Sequence, residues 1–113
     1  MPIVRIDASR ISDWESFHDV FSSEMGFPEF YGRNMNAWID CMTSVDEPRD
    51  GMTTIHATSK DPLTIHLDNA NSMPDEIFAG LNECAAFVNW RRIEISEPPV
   101  LTLSYWRTQP QQK

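Results

Sequence analysis

The segment Leu63-Thr64-Ile65-His66-Leu67 alternates apolar and polar side chains with a period of two, which predicts a β-strand. Two further segments favour strands, residues 3–6 near the start of the chain and residues 100–106 towards its end. Helical patterns lie between these three segments. Because parallel strands that alternate with helices are joined by right-handed crossovers, the sequence predicts an α/β fold built on a small parallel sheet packed with helices.

The first helical pattern covers about residues 13–25, where apolar residues recur at helical spacing. Ser12 and Glu15 have the spacing of a capping box at its start. Gly26 is expected to end the helix, since glycine adopts the left-handed conformation most easily. An aromatic linker follows, with Gly26 and Gly32 at its two ends.

The second helix is expected over about residues 35–44, with Asn34 as its N-cap. At 100° per residue, Ile39 falls on the seam between the apolar arc and the polar arc. Asp40 lies on the polar arc, and its neighbours one turn away in either direction are uncharged. Spacing alone therefore favours a solvated carboxylate at this position.

Ser72 and Pro74 predict the start of a third helix. Two acidic residues follow Pro74 in its first turn. The apolar side chains on its broad arc, which we expect to cover the sheet, are Ile77, Phe78, Leu81, Cys84, Ala85, Phe87 and Val88. Arg91 and Arg92 suit the negative end of the helix dipole, and residues 97–99 end any continuation.

Residues 45–61 show no regular pattern. The charged residues at 46–50 indicate a solvated loop, and residues 52–58 are a candidate extra edge strand. We expect a single domain over residues 1–106, followed by a polar C-terminal tail at 107–113 that frays.

The charge balance limits the classes of partner. Among 113 residues, 17 are acidic and 9 are basic, which gives a formal net charge of -8. Direct binding to nucleic acid or to an anionic membrane is disfavoured, because both need cations at phosphate groups. No run approaches the roughly 20 apolar residues of a spanning helix, and the N-terminus resembles a strand, not a signal peptide. We therefore expect a cytoplasmic protein, with Cys41 and Cys84 as reduced, buried thiols.

Three histidines, His18, His56 and His66, are the residues on which a catalytic or metal site would depend. No cysteine or histidine stands at zinc spacing from them, so we expect no metal and no cofactor. The sequence also lacks a nucleophile motif such as G-x-S-x-G. It therefore predicts a protein that is not an enzyme, with a small histidine-dependent hydrolase as the least favoured alternative.

The run Phe27-Pro28-Glu29-Phe30-Tyr31-Gly32-Arg33-Asn34-Met35-Asn36-Ala37-Trp38-Ile39-Asp40-Cys41-Met42-Thr43 combines three features. An aromatic pair precedes a glycine, an asparagine caps a helix, and the helix ends in Asp-Cys-apolar-Thr. This combination closely resembles the barstar family of ribonuclease inhibitors. Residues 87–94, followed by 97–101, are similar to a longer branch of that family.

The resemblance implies a three-stranded parallel sheet and a function as a stoichiometric inhibitor, an antitoxin or immunity protein. Its partner would be a cognate basic ribonuclease or nuclease toxin. In that family the aromatic linker and the following helix form the contact surface. The aspartate that matches Asp40 enters the phosphate pocket of the nuclease. An acidic protein that mimics an RNA phosphate is consistent with the charge balance.

The partner-binding residues that this resemblance implies are Phe30, Tyr31, Gly32, Asn36, Ile39, Asp40, Thr43 and Ser44. Three of them depart from the best-known inhibitor, which has a carboxylate, an exposed tryptophan and a glycine in place of Asn36, Ile39 and Ser44. These departures suggest a different cognate nuclease. Glu94 and Glu97 are candidates for a further acidic contact, because the crossovers place their turn at the same end of the sheet as the aromatic linker.

An alternative function uses the same surface. The protein would then be a non-inhibitory adaptor or regulator that binds some other basic protein. Recovery of a basic partner without nuclease activity would favour that alternative.

Overall fold

The secondary-structure elements lie close to their predicted positions in the computed structural model, which describes residues 2–58 and 60–108. The strands are β1 (Ile3–Asp7), β2 (Leu63–Asp68) and β3 (Leu101–Tyr105). The helices are α1 (Trp14–Met25), α2 (Met35–Thr43) and α3 (Asp75–Glu94), with short 3-10 turns at Ala8–Arg10, Pro48–Asp50 and Ala70–Ser72.

The three strands form one parallel sheet in the order β1-β2-β3. Ile65 of β2 pairs with Val4 of β1 and with Leu103 of β3. The α1 and α2 helices connect β1 to β2, and α3 connects β2 to β3, since parallel neighbours need crossover connections. The predicted α/β fold with a three-stranded parallel sheet is confirmed.

The alternation along the strands buries one face of the sheet under the helices. The buried strand residues on this face are Val4, Ile6, Leu63, Ile65, Leu67 and Leu101, and Leu103 is half-buried there. The largest side chains that the helices add to the core are Phe17, Phe21, Met25, Trp38, Met42 and Leu81. Burial of these apolar groups is the main stabilising contribution to the fold.

The start of α1 differs by one residue from the sequence prediction. The side chain of Asp13 accepts a hydrogen bond from the Ser16 amide at 2.8 Å, and Ser16 Oγ accepts one from the Asp13 amide at 3.1 Å. The capping box is therefore Asp13 with Ser16, and the predicted pair of Ser12 with Glu15 is wrong. Both pairs have the same spacing, which is why the sequence could not separate them.

Residues 52–58 do not form the expected edge strand. Within the described residues, they contribute only an isolated antiparallel bridge between Thr58 and Asp61. The Thr54 amide donates to the Met25 carbonyl at 2.8 Å, and the Ala57 amide donates to the Val45 carbonyl at 3.1 Å. The segment therefore crosses the C-terminal end of α1 and runs past the end of α2, and these backbone groups are paired there instead of at a sheet edge.

The arc of α3 that covers the core is narrower than predicted. The buried residues are Ile77, Leu81, Ala85 and Val88, together with Arg92. Phe87, which we assigned to the core arc, is exposed. It lies 100° around the helix from Val88, far enough to leave the buried stripe.

The contacts of the domain continue past residue 106. The Arg107 guanidinium donates to the Ala70 and Met73 carbonyls at 2.6 Å and 2.9 Å. The Thr108 amide donates to the Asn71 side chain at 2.8 Å. These two residues of the predicted tail pack on the domain, and residues 109–113 of that tail lie outside the described residues.

Both cysteines are free thiols, with Cys41 buried and Cys84 half-buried. Burial raises the pKa of each thiol above its ordinary value, so both favour the neutral form. In the described part of the chain, no helix has the length and apolar character needed to cross a membrane.

Substitution of Gly26 tests the close packing of residues 52–58 on the C-terminal end of α1. Its φ of 66° is left-handed, and a Cβ added there would collide with the Thr54 side chain. Gly51 provides the matched control, because its φ is 67° and an added Cβ would meet no described atom within 4 Å. We expect Gly51→Ala to lower the free energy of unfolding by about 1–2 kcal/mol. Gly26→Ala should cost about 1–3 kcal/mol more, from overpacking.

Urea unfolding of both variants measures the difference. Equal losses of stability would contradict the close packing of Thr54 on Gly26.

Candidate functional site

Asp40 projects from α2 into solvent. Its side chain is 71% exposed, whereas Trp38, Cys41 and Met42 on the other side of the helix are buried. The N-terminus of α2 is fixed by the Asn34 side chain, which accepts a hydrogen bond from the Ala37 amide at 2.8 Å. The carboxylate is therefore carried by a helix that is capped and anchored in the core.

The aromatic linker before α2 exposes one of its three rings. Phe30 is 76% exposed, whereas Tyr31 is 8% exposed and Phe27 is also buried. The Tyr31 hydroxyl lies 2.6 Å from His18 Nδ1, and its ring packs on Phe27 with centroids 4.6 Å apart. The two buried rings hold the linker in place, and Phe30 is the ring available to a partner.

A cleft of about 170 Å³ brings four of the predicted residues together. It is lined by Phe30, Tyr31, Gly32, Ala37, Asp40, Cys41 and Met52. The cleft thus combines a mostly apolar lining with the exposed Asp40 carboxylate, a combination that suits a cationic side chain with an apolar stem.

Asp40 has a cation of its own chain within reach, which the sequence did not reveal. Arg91 Nη1, near the end of α3, lies 3.5 Å from Asp40 Oδ1. Both side chains are exposed and the distance is long, so this ion pair is weak. The contact arises because α3 packs against α2, and spacing along either helix alone could not predict it.

Three further predicted residues of α2 differ in how far a partner could reach them. Asn36 is exposed one turn before Asp40. Ile39, which we placed at the seam, is 9% exposed and belongs to the core. The Thr43 hydroxyl donates to the Ile39 carbonyl at 2.6 Å, so its proton is used within the helix.

A second depression lies beyond the C-terminal end of α2. It has a volume of about 330 Å³ and is lined by Thr43, Ser44, Asp46, Glu47, Asp50, Arg92, Ile95 and Glu97. The structure therefore brings Glu97 beside the predicted residues Thr43 and Ser44. Glu94 is exposed in the last turn of α3 and lines neither of these two depressions. The turn after α3 thus lies beside the C-terminal end of α2, where the Arg92 guanidinium binds the Thr43 carbonyl.

The two helices are joined by a buried arginine. The Arg92 guanidinium donates to both carboxylate oxygens of Asp46, at 2.8 Å and 2.7 Å, and to the carbonyls of Thr43 and Pro98. The Glu97 carboxylate lies 3.7 Å away. Asp46 is therefore not part of a wholly solvated loop, because its carboxylate neutralises a buried cation.

Removal of the Asp46 carboxylate should destabilise the fold. Asp46→Ala leaves the Arg92 charge buried without its bidentate partner, and we expect a loss of about 3–5 kcal/mol in the free energy of unfolding. Glu47→Ala is the matched control, since its ion pair with Arg49 is exposed and 3.5 Å long. This control should change stability by about 0.5 kcal/mol or less. Similar urea midpoints for the two variants would contradict the role of the buried pair.

The buried His18 predicts a pH dependence of stability. Burial lowers the pKa of His18 below its ordinary value, and the Arg33 charge adds to this effect. The unfolded chain takes up a proton at about pH 6.5, whereas the native state resists it, so stability is complete above that pH. Stability is then lost as the pH falls from 6.5 to the lower native pKa.

His18→Gln removes this proton uptake. Urea unfolding at pH 7.0 and pH 5.5 should show a smaller loss of stability in the variant than in the parent. An identical loss in both proteins would exclude His18 as the titrating group.

The other two histidines make local contacts. His56 Nδ1 lies 3.4 Å from Thr53 Oγ1. His66 Nδ1 lies 3.1 Å from Ser104 Oγ, and its Nε2 lies 3.3 Å from the Asp68 carboxylate, which Arg5 also binds at 2.8 Å. Arg5, His66, Asp68 and Ser104 thus form a polar network across the three strands. Among the described residues, no group of three His, Cys, Asp or Glu side chains could hold a metal ion.

Comparison with known proteins gives two findings. A family model described as Barstar (barnase inhibitor) matches residues 1–95, which is most of the chain. A protein of Bacillus subtilis (strain 168) named "Putative ribonuclease inhibitor YrdF" is 41% identical over 44 residues. That alignment covers 38% of this chain and 48% of the relative, so the match spans about half the length of the curated relative.

Proposed function

Because the chain belongs to the barstar family, we propose that it inhibits a basic ribonuclease by placing the Asp40 carboxylate in the phosphate-binding site of the enzyme. The resemblance seen in residues 27–43 is confirmed by the family match. The observation that carries the proposal is the position of Asp40, exposed on an anchored helix beside the exposed ring of Phe30.

The chemistry of a ribonuclease site supports this role for Asp40. Such a site holds RNA phosphates with arginine, lysine or histidine side chains, and a carboxylate accepts the same charge-assisted hydrogen bonds. A carboxylate on a rigid helix loses little conformational freedom on binding, so more of the interaction energy appears as affinity. Occupation of the phosphate site excludes the substrate directly.

Phe30 and the net charge would make separate contributions. The exposed ring can bury apolar surface against the rim of the enzyme, as aromatic residues do at binding hot spots. The net charge of -8 steers a basic partner towards the inhibitor, and salt screens this attraction beyond about 8 Å. Association should therefore slow as the salt concentration rises.

The remaining predicted contacts are proposed on the same surface. Asn36, Thr43 and Ser44 lie on or next to α2 around Asp40, and Glu97 supplies a carboxylate beside Thr43 and Ser44. Tyr31 and Ile39 are buried, so we assign them to support the surface more than to form it. We place the action of the inhibitor in the cytoplasm, where free thiols such as Cys41 remain reduced.

Replacement of Asp40 tests the proposal. We expect Asp40→Ala and the isosteric Asp40→Asn to weaken inhibition by about 2–5 kcal/mol, because each leaves the cations of the enzyme buried without a partner. Glu24→Gln is the matched control, since it removes one exposed negative charge from α1 and should slow association only slightly. Inhibition constants for barnase and for ribonucleases encoded near this chain's gene provide the measurement.

Unchanged inhibition by Asp40→Asn would exclude the phosphate-mimic mechanism. Capture of a basic protein without nuclease activity, through a surface that Asp40→Asn disrupts, would favour the adaptor function instead.

A further inference from the structure

The outer face of α3 carries an aromatic pair that the fold does not use. Phe87 and Trp90 are both exposed, and their rings stack with centroids 5.7 Å apart and an interplanar angle of 26°. The core-facing residues of α3 lie on the other side of the helix. Exposed apolar surface of this kind has a free-energy cost in water and often marks an interaction site.

Acidic residues stand at both ends of this aromatic pair. Glu83, Phe87, Trp90 and Glu94 follow one another at intervals of four, three and four residues, which places them on a single stripe of α3. All four are exposed. The stripe is therefore complementary to a basic surface that presents an apolar group between two cations.

The stripe is continuous with the surface around Asp40. The Arg91 guanidinium lies 5.9 Å from the centroid of the Phe87 ring, and its Nη1 lies 3.5 Å from the Asp40 carboxylate. The Arg91 side chain thus bridges the two regions, so a protein that covers Asp40 and extends across Arg91 meets the aromatic pair.

We propose that the stacked Phe87 and Trp90 rings form a second anchor for the same basic ribonuclease. The inference rests on the proposed function. The occupant is the rim of the enzyme beside its cationic site, with an apolar side chain on the rings and basic side chains near Glu83 and Glu94. Stacked aromatic rings are well suited to such an anchor because they bury a large area and lose little side-chain entropy.

Trp90→Ala tests the second anchor, with Trp106→Ala as the matched control. Trp106 is 75% exposed, but it follows β3 at the end of the sheet opposite the 91–99 turn, beside residues 66–72. Inhibition constants and dissociation rates are measured with barnase and with ribonucleases encoded near this chain's gene. We expect Trp90→Ala to raise the inhibition constant at least about 10-fold, mainly through faster dissociation. Trp106→Ala should change it less than about 2-fold, and urea midpoints check that both variants fold.

Each other result has a definite meaning. If Trp90→Ala inhibits as tightly as the parent while Asp40→Asn fails, the second anchor is wrong and the proposed function stands. If the parent inhibits none of these enzymes, both the proposed function and the second anchor are wrong. If the parent sediments as a dimer that Trp90→Ala dissociates, the rings are occupied by a second copy, which also overturns the inference.

Discussion

The buried guanidinium of Arg92 is the interaction on which the geometry of the candidate surface depends. It binds the Thr43 carbonyl at the end of α2, the Asp46 carboxylate just beyond it, and the Pro98 carbonyl after α3. A charge in this position is unfavourable unless its hydrogen bonds are satisfied, so the chain segments around it must keep their relative places. Asp40 lies one turn before Thr43 on α2, so the same contacts fix its position.

The candidate surface and the core are built from neighbouring residues of the same short segments. Phe30 points outwards and Tyr31 inwards in the linker, while Ile39 is buried and Asp40 exposed in α2. A linker with one anchored ring keeps the next ring in place, and a helix with a buried inner side fixes the direction of its outer side chains. Core packing and the buried contacts of Arg92 thus preorganise the surface for binding.

Local patterns in the sequence predicted the strands, the helices and the Asn34 cap, because these depend on residues a few positions apart. The same patterns misplaced Phe87, since the width of a buried stripe depends on what packs against it. They also missed the contacts of Arg91 and Arg92 with α2 and with Asp46 just beyond it, whose partners lie 46 to 51 residues away in the chain. Residues 52–58 have the composition of a strand, but carbonyls at the end of α1 and after α2 accept hydrogen bonds from their backbone.

The link between His18 and Tyr31 has a consequence for the lifetime of the protein. Because this contact supports both the core and the linker that carries Phe30, local opening of the linker removes part of the surface offered to a partner. A partner that binds only the closed form therefore stabilises the whole domain by mass action. If the cell degrades the opened form, molecules without a partner would be removed first, so turnover would match the amount of this protein to the amount of its partner.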